Sequence, residues 1–185
     1  MDRFPGLVDL ACHDVRTPLA TIGGFAKTLI RSGGLSERDA RFVGMIDDAA
    51  TQIVQLLDQL GLASRIAGDR YEPALAEADT LELAAGSRDD RVHAGGDGVT
   101  VETDVETVRR SLAALATAAL KWGVIEQVTW TVAGRELSLA PVTADAAPVV
   151  DGSSPRDLGA LVARMAIEGL GGTMTVGGGT LRVAL

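Results

Sequence analysis

The sequence predicts an α+β protein in two parts, an antiparallel helical hairpin followed by a small α/β sandwich. Three observations carry that prediction. Between residues 5 and 66, apolar residues recur at alternating spacings of three and four, the period of helices that share a seam. Beyond about residue 75, short strand-like runs alternate with helical stripes, the mixture expected of a layered α/β domain. Between the two, residues 67–73 contain Gly68, Asp69 and Pro73 and carry no stripe, which marks a linker. The parts are residues 1–69 and 70–185.

In the first helix Val8, Cys12, Val15, Leu19, Ile22, Ala26 and Leu29 form the stripe, widened by Leu7, Ala11, Pro18 and Phe25. Gly33-Gly34 ends it as a glycine C-cap. Ser36 caps the second helix, with Asp39 three residues on. The second stripe is Val43, Ile46, Ala50, Ile53, Leu57 and Leu60. A short loop between two such helices makes them antiparallel. Apolar sectors this wide leave much surface uncovered in a lone hairpin, so the reading includes a homodimer closed as a four-helix bundle.

In the second part, residues 79–85 suggest a short helix. Residues 91–93 and 99–102 suggest strands around a turn at Gly95-Gly96-Asp97-Gly98. Residues 104–121 form a strong helix capped by Asp104, with Val105, Val108, Leu112, Leu115 and Ala119 as its stripe. Residues 124–132 and 136–142 read as a hairpin around Ala133-Gly134. Residues 143–155 read as a Pro/Ser/Asp/Gly loop. Residues 158–167 are helical, and 173–176 and 180–184 are closing strands.

Composition excludes several chemistries. The chain has 185 residues, 46% of them hydrophobic, and a net charge of −8. It contains no asparagine and two histidines, His13 and His93, so an Asn ligand or a His cluster is excluded. One cysteine, Cys12, makes neither an internal disulfide nor a Cys-rich zinc site and fits a reducing, cytoplasmic setting. The acidic balance argues against nucleic-acid binding. The longest apolar run, 112–120, is too short to cross a bilayer. His93, beside the glycine turn, reads as structural or solvated.

The first helix carries the candidate chemistry. At about 100° per residue, His13 lies opposite the centre of the stripe and faces water, with Thr17, Ala20, Gly24 and Lys27 on the same face. Asp14 is one residue round. A carboxylate hydrogen-bonded to one imidazole nitrogen fixes the tautomer and leaves the other nitrogen free to attack. A lone exposed histidine is otherwise an ordinary surface residue. The string His13-Asp14-Val15-Arg16-Thr17-Pro18-Leu19 is more specific. It resembles the H-box of two-component sensor histidine kinases, placed where that family has it, with a proline one turn past the histidine.

That resemblance implies His13 as phosphoacceptor, Asp14 as its acid/base partner and Thr17 as the residue that positions water for dephosphorylation. Arg16 matches the family pattern but reads equally well as a solvated arginine. The partner implied is a response-regulator receiver domain, docked near Arg16, Ala20, Gly24 and Lys27.

The second part resembles the same family's ATP-binding domain, a Bergerat-type (GHKL or HATPase-like) sandwich, in degenerate form. Asp157-Leu158-Gly159-Ala160, Glu168, Gly171-Gly172-Thr173 and Gly179-Thr180-Leu181 carry the likeness, with residues 108–123 as the N-box helix. The magnesium-holding asparagine corresponds to Ala118 and its neighbour one turn earlier to Ala114. The adenine-gripping aspartate–glycine box is missing after Ala140-Pro141. Asp157 puts a negative charge in the phosphate loop. Lys121 stands at a position resembling a phosphate contact and equally suits a C-terminal helix cation. The implied protein is a dimeric histidine phosphotransferase of a phosphorelay, which binds no cofactor or metal stably and relies on Mg²⁺ brought by the receiver. Two alternatives stay open. One is a soluble histidine kinase or phosphatase with altered nucleotide use. The other is a non-catalytic pseudokinase adaptor that binds a response regulator.

Overall fold

A computed structural model describes residues 4–185, and the chain divides into two compact units, Met1–Arg70 and Tyr71–Leu185.

The first unit is a helical hairpin. Helix α1 spans Phe4–Ser32 and α2 spans Glu37–Ala67. Gly33 and Gly34 turn the chain at φ values of 70° and 79°, conformations that a Cβ resists. Ser36 caps α2: the Asp39 amide donates to its hydroxyl at 3.2 Å, and the hydroxyl donates to the Asp39 carboxylate at 2.7 Å.

Only part of each predicted stripe is buried. Pro5, Cys12, Leu19 and Ala26, seven residues apart, are the buried positions of α1, and Ala50, Gly61 and Ser64 those of α2. Most of these residues are small. Val15, Ile22 and Leu29 stay exposed, as do Ile46, Ile53 and Leu60. Within a single hairpin the stripes are thus only partly covered, as expected of apolar sectors this wide. One facing helix covers only a narrow sector, and the larger side chains fall outside it. Ion pairs brace the seam instead: Arg16–Asp58 at 2.6 Å, Arg70–Asp9 at 2.9 Å and Lys27–Asp47 at 3.7 Å.

The second unit is a two-layer α/β domain. Its elements are β1 (Leu75–Asp79), α3 (Thr80–Ala84), β2 (Val92–Gly98), β3 (Thr100–Asp104), α4 (Val105–Gly123), β4 (Val128–Gly134), β5 (Glu136–Ala140), α5 (Ala147–Val150), α6 (Leu158–Gly169), β6 (Thr173–Gly177) and β7 (Thr180–Ala184). The main sheet has the order β2-β4-β5-β7-β6, with β2 and β4 parallel and the other neighbours antiparallel. Strands β1 and β3 form a separate antiparallel pair. Burial alternates along β4, with Val128, Trp130 and Val132 inside. Leu137, Leu139, Leu181 and Val183 continue that face, which packs in one core with Val108, Leu112 and Leu115 of α4 and Ile167 of α6. One face covered and one wet is the usual state of an antiparallel sheet.

Several local expectations are corrected. The glycine run at 95–98 is not a turn but the second half of β2, hydrogen-bonded alongside β4. Strands β2 and β3 belong to different sheets. The boundary between the two units falls within residues 67–73, and β1, which follows, pairs with β3 and has its first three residues exposed. The loop at 143–155 contains α5, whose Val149 and Val150 are fully covered. The predicted hairpin at Ala133-Gly134 forms, but β4 begins at Val128.

Candidate functional site

Helix α1 presents His13 to solvent, with 76% of its side chain exposed. Its neighbours in sequence explain the placement. Cys12 is a seam position, so the next residue is turned about 100° away from α2. The imidazole Nδ1 lies 3.3 Å from Oδ1 of Asp14. Among the described residues nothing engages Nε2. The pair therefore has the arrangement that general base-assisted nucleophiles use: one ring nitrogen held by a carboxylate, the other open.

Pro18 lies inside α1 and supplies no amide proton, so the carbonyl of Asp14 is released from the helical ladder one turn past His13. Thr17 is exposed, and its carbonyl accepts a hydrogen bond from the Thr21 hydroxyl at 3.3 Å. His13, Arg16, Thr17, Ala20 and Thr21 line one shallow surface recess. Gly24 and Lys27 continue along the helix in exposed positions, outside that recess. Arg16 is not simply a solvated arginine: its Nη2 donates to Oδ1 of Asp58 on α2 at 2.6 Å. The residue that sequence reasoning missed is Asp58. It is separated from Arg16 by 42 positions, and no local pattern announces the pair.

In the α/β unit, the positions that resemble a nucleotide site offer little to one. Ala118 on α4 is fully buried in the core and brings only a methyl group. Ala114 packs against the same core, and Ala140 ends β5. Asp157 caps α6: its Oδ1 accepts from the Ala160 amide at 3.1 Å. Its Oδ2 lies 3.3 Å from the indole nitrogen of Trp122 and 3.6 Å from Nζ of Lys121. Lys121 also lies 5.1 Å from the Trp122 ring centre. A carboxylate of the chain itself thus meets the lysine and the helix N-terminus that a phosphate would need. Among the described residues no group of three or more His, Cys, Asp or Glu side chains is arranged to hold a metal ion. The side chains of Ala114, Ala118 and Ala140 offer no oxygen to a Mg²⁺ ion. His93 lies on the edge strand β2, exposed and remote in sequence from the His13 recess.

The model of the His Kinase A (phospho-acceptor) domain matches residues 7–68. No curated protein sequence matches the chain. Among solved structures, full-length ShkA in complex with AMPPNP superposes with a TM-score of 0.70 at 18% identity, over 97% of this chain and 44% of ShkA. The chain thus spans less than half the length of that relative. The histidine kinase AdeS of Acinetobacter baumannii superposes with a TM-score of 0.55 at 16% identity, over 94% of this chain and 96% of the other. At such identities the likeness establishes the fold. Helix α1, which carries His13, lies almost entirely within the matched phospho-acceptor region. The chain thus combines a helical hairpin that matches the His Kinase A (phospho-acceptor) domain model with an α/β unit, the two-part fold it shares with ShkA and AdeS.

Proposed function

We propose that the chain is a dimeric histidine phosphotransferase of a phosphorelay, passing a phosphoryl group between the aspartates of response-regulator receiver domains through His13. The observation that carries this reading is the exposed His13–Asp14 pair, with Nδ1 engaged and Nε2 free, inside a phospho-acceptor domain. Nε2 attacks the phosphorus of the receiver's aspartyl phosphate, and the bond to the aspartate oxygen breaks, releasing a carboxylate. Asp14 accepts from Nδ1–H and stabilises the positive charge that builds on the ring. Return transfer to a second receiver reverses these steps. Thr17, one turn on, orients a water when the phosphoryl group is hydrolysed instead. A receiver-borne Mg²⁺ supplies charge neutralisation at the transferring phosphoryl group.

Independence from ATP is part of the proposal. Its support is the buried methyl of Ala118 and the Asp157 carboxylate beside Lys121. The receiver docks along Ala20, Gly24 and Lys27 of α1. The chain works in the cytoplasm, where receivers are found; among the described residues, no helix is long and apolar enough to cross a membrane.

The test is phosphotransfer. Mixing the protein with radiolabelled, phosphorylated receiver domains is expected to move label onto His13, and His13→Ala abolishes it. Asp14→Asn slows transfer by about 100-fold, the scale of a lost acid/base partner. Labelling of wild-type protein by ATP alone would overturn the phosphotransferase reading in favour of a kinase. Signalling that survives His13→Ala in cells would favour a non-catalytic adaptor.

A further inference from the structure

The Arg16–Asp58 pair spans the hairpin beside the proposed phosphoacceptor, and its contribution to stability is small. Both side chains are more than 40% exposed, and ion pairs in that setting add little to a fold. The other braces, Lys27–Asp47 and Arg70–Asp9, do not line the His13 recess, whereas Arg16 does. Arg16 follows His13 by three positions, so the two side chains are neighbours one turn apart on the helix surface. A guanidinium carries five N–H donors in a planar fork. Nη2 is held by Asp58, and among the described residues Nε and Nη1 have no protein partner.

We infer that Asp58 is a positioning residue: it holds Arg16 as a preset clamp whose free donors meet the phosphoryl group on His13. This rests on the phosphotransfer reading. An unanchored arginine loses considerable rotamer freedom when it binds an anion. Anchoring one edge on α2 makes that loss before the phosphoryl group arrives, and a guanidinium keeps its charge at every working pH. Asp58 touches neither the phosphoryl group nor His13; it acts through Arg16.

The test needs no receiver. Phosphoramidate transfers its phosphoryl group directly to imidazole: the Nε2 lone pair forms the new N–P bond as the bond from phosphorus to the ammonium nitrogen breaks. Neutral ammonia leaves with the protons it already carries, and the Nδ1 proton stays on the ring, donated to the Asp14 carboxylate. The phosphohistidine is then titrated by ³¹P NMR. In wild-type protein the guanidinium should hold the second phosphoryl pKa low. Arg16→Ala should raise it by about half a unit or more and slow phosphohistidine formation roughly tenfold. Arg16→Lys, which keeps the charge but not the fork, should fall between. Asp58→Asn should shift the titration in the same direction by less, and Arg16→Ala/Asp58→Asn should match Arg16→Ala alone, because the two residues act as one unit.

Helicity measured by circular dichroism should be unchanged in all of these. If Arg16→Ala perturbs folding, Arg16→Lys and Asp58→Asn carry the test. Equal phosphoryl titrations in wild type, Arg16→Lys and Asp58→Asn overturn the clamp. A shift in Arg16→Ala with none in Asp58→Asn overturns the role of Asp58. Wild-type protein left without label at His13, judged against His13→Ala, overturns the phosphotransfer reading itself.

Discussion

At Asp104 one carboxylate serves two ends of the local chain. Oδ1 accepts from the Thr107 amide at 3.0 Å and so caps α4. Oδ2 accepts from the Tyr71 hydroxyl at 2.8 Å and from the Ala74 amide at 3.3 Å, fastening the segment that leads into β1. Burial pushes the carboxyl pKa up. The hydrogen bonds from Thr107, Tyr71 and Ala74 outweigh it and hold the group below the usual value of 3.8. A depressed folded pKa means stability that is fully present above the unfolded value and lost as pH falls through the folded one. Asp104→Ala is therefore expected to cost about 1–3 kcal/mol at neutral pH, with the deficit shrinking below about pH 4. Urea denaturation at the two pH values checks it. The capping role was legible from sequence, because an Asp before a helical stripe is a local signal. The bond to Tyr71, 33 positions away, was not.

The elements divide along the same line. Both hairpin helices, α4, α6 and the β4–β5 turn follow from periodicity and capping, which act over a few residues. Strand β2 does not, because glycines normally break strands. Its reason is across the sheet: a Cβ on Gly96 would lie 2.1 Å from the Val132 carbonyl oxygen, at a φ of 118°. Gly96→Ala is expected to destabilise the α/β unit by about 3 kcal/mol or more, read from its thermal midpoint. At the end of α4 the opposite mismatch occurs. Val124 takes the left-handed C-cap conformation, φ 49° and ψ 48°, while 90% exposed. Nothing there rewards a β-branched side chain. Val124→Gly should stabilise by about 1 kcal/mol, a measurable rise in the same midpoint. Helix α5 escaped the sequence reading because it is one turn long and surrounded by turn-forming residues; its burial against the core gives it order.

For the whole molecule, the decisive feature is the apolar surface that the hairpin leaves open. Ile22, Phe25, Leu29, Ile46, Ile53 and Leu56 are all exposed on α1 and α2. Covering them with a second hairpin is the proposed four-helix bundle. Sedimentation is expected to give twice the 19.1 kDa chain mass, and Ile46→Glu/Ile53→Glu to give a monomer that keeps its α/β core. A wild-type monomer at micromolar concentration would defeat the dimer. The sequence by itself determined the two-part division, both long helices and the exposure of His13 beside Asp14, because helical period and capping need no distant partner. The tertiary structure decided which half of each stripe is buried, since only the packed hairpin shows how narrow its seam is. It also decided that Arg16 meets Asp58 and that Asp157 meets Lys121. Those pairs join residues far apart in the chain, and only the folded backbone brings their charges within contact.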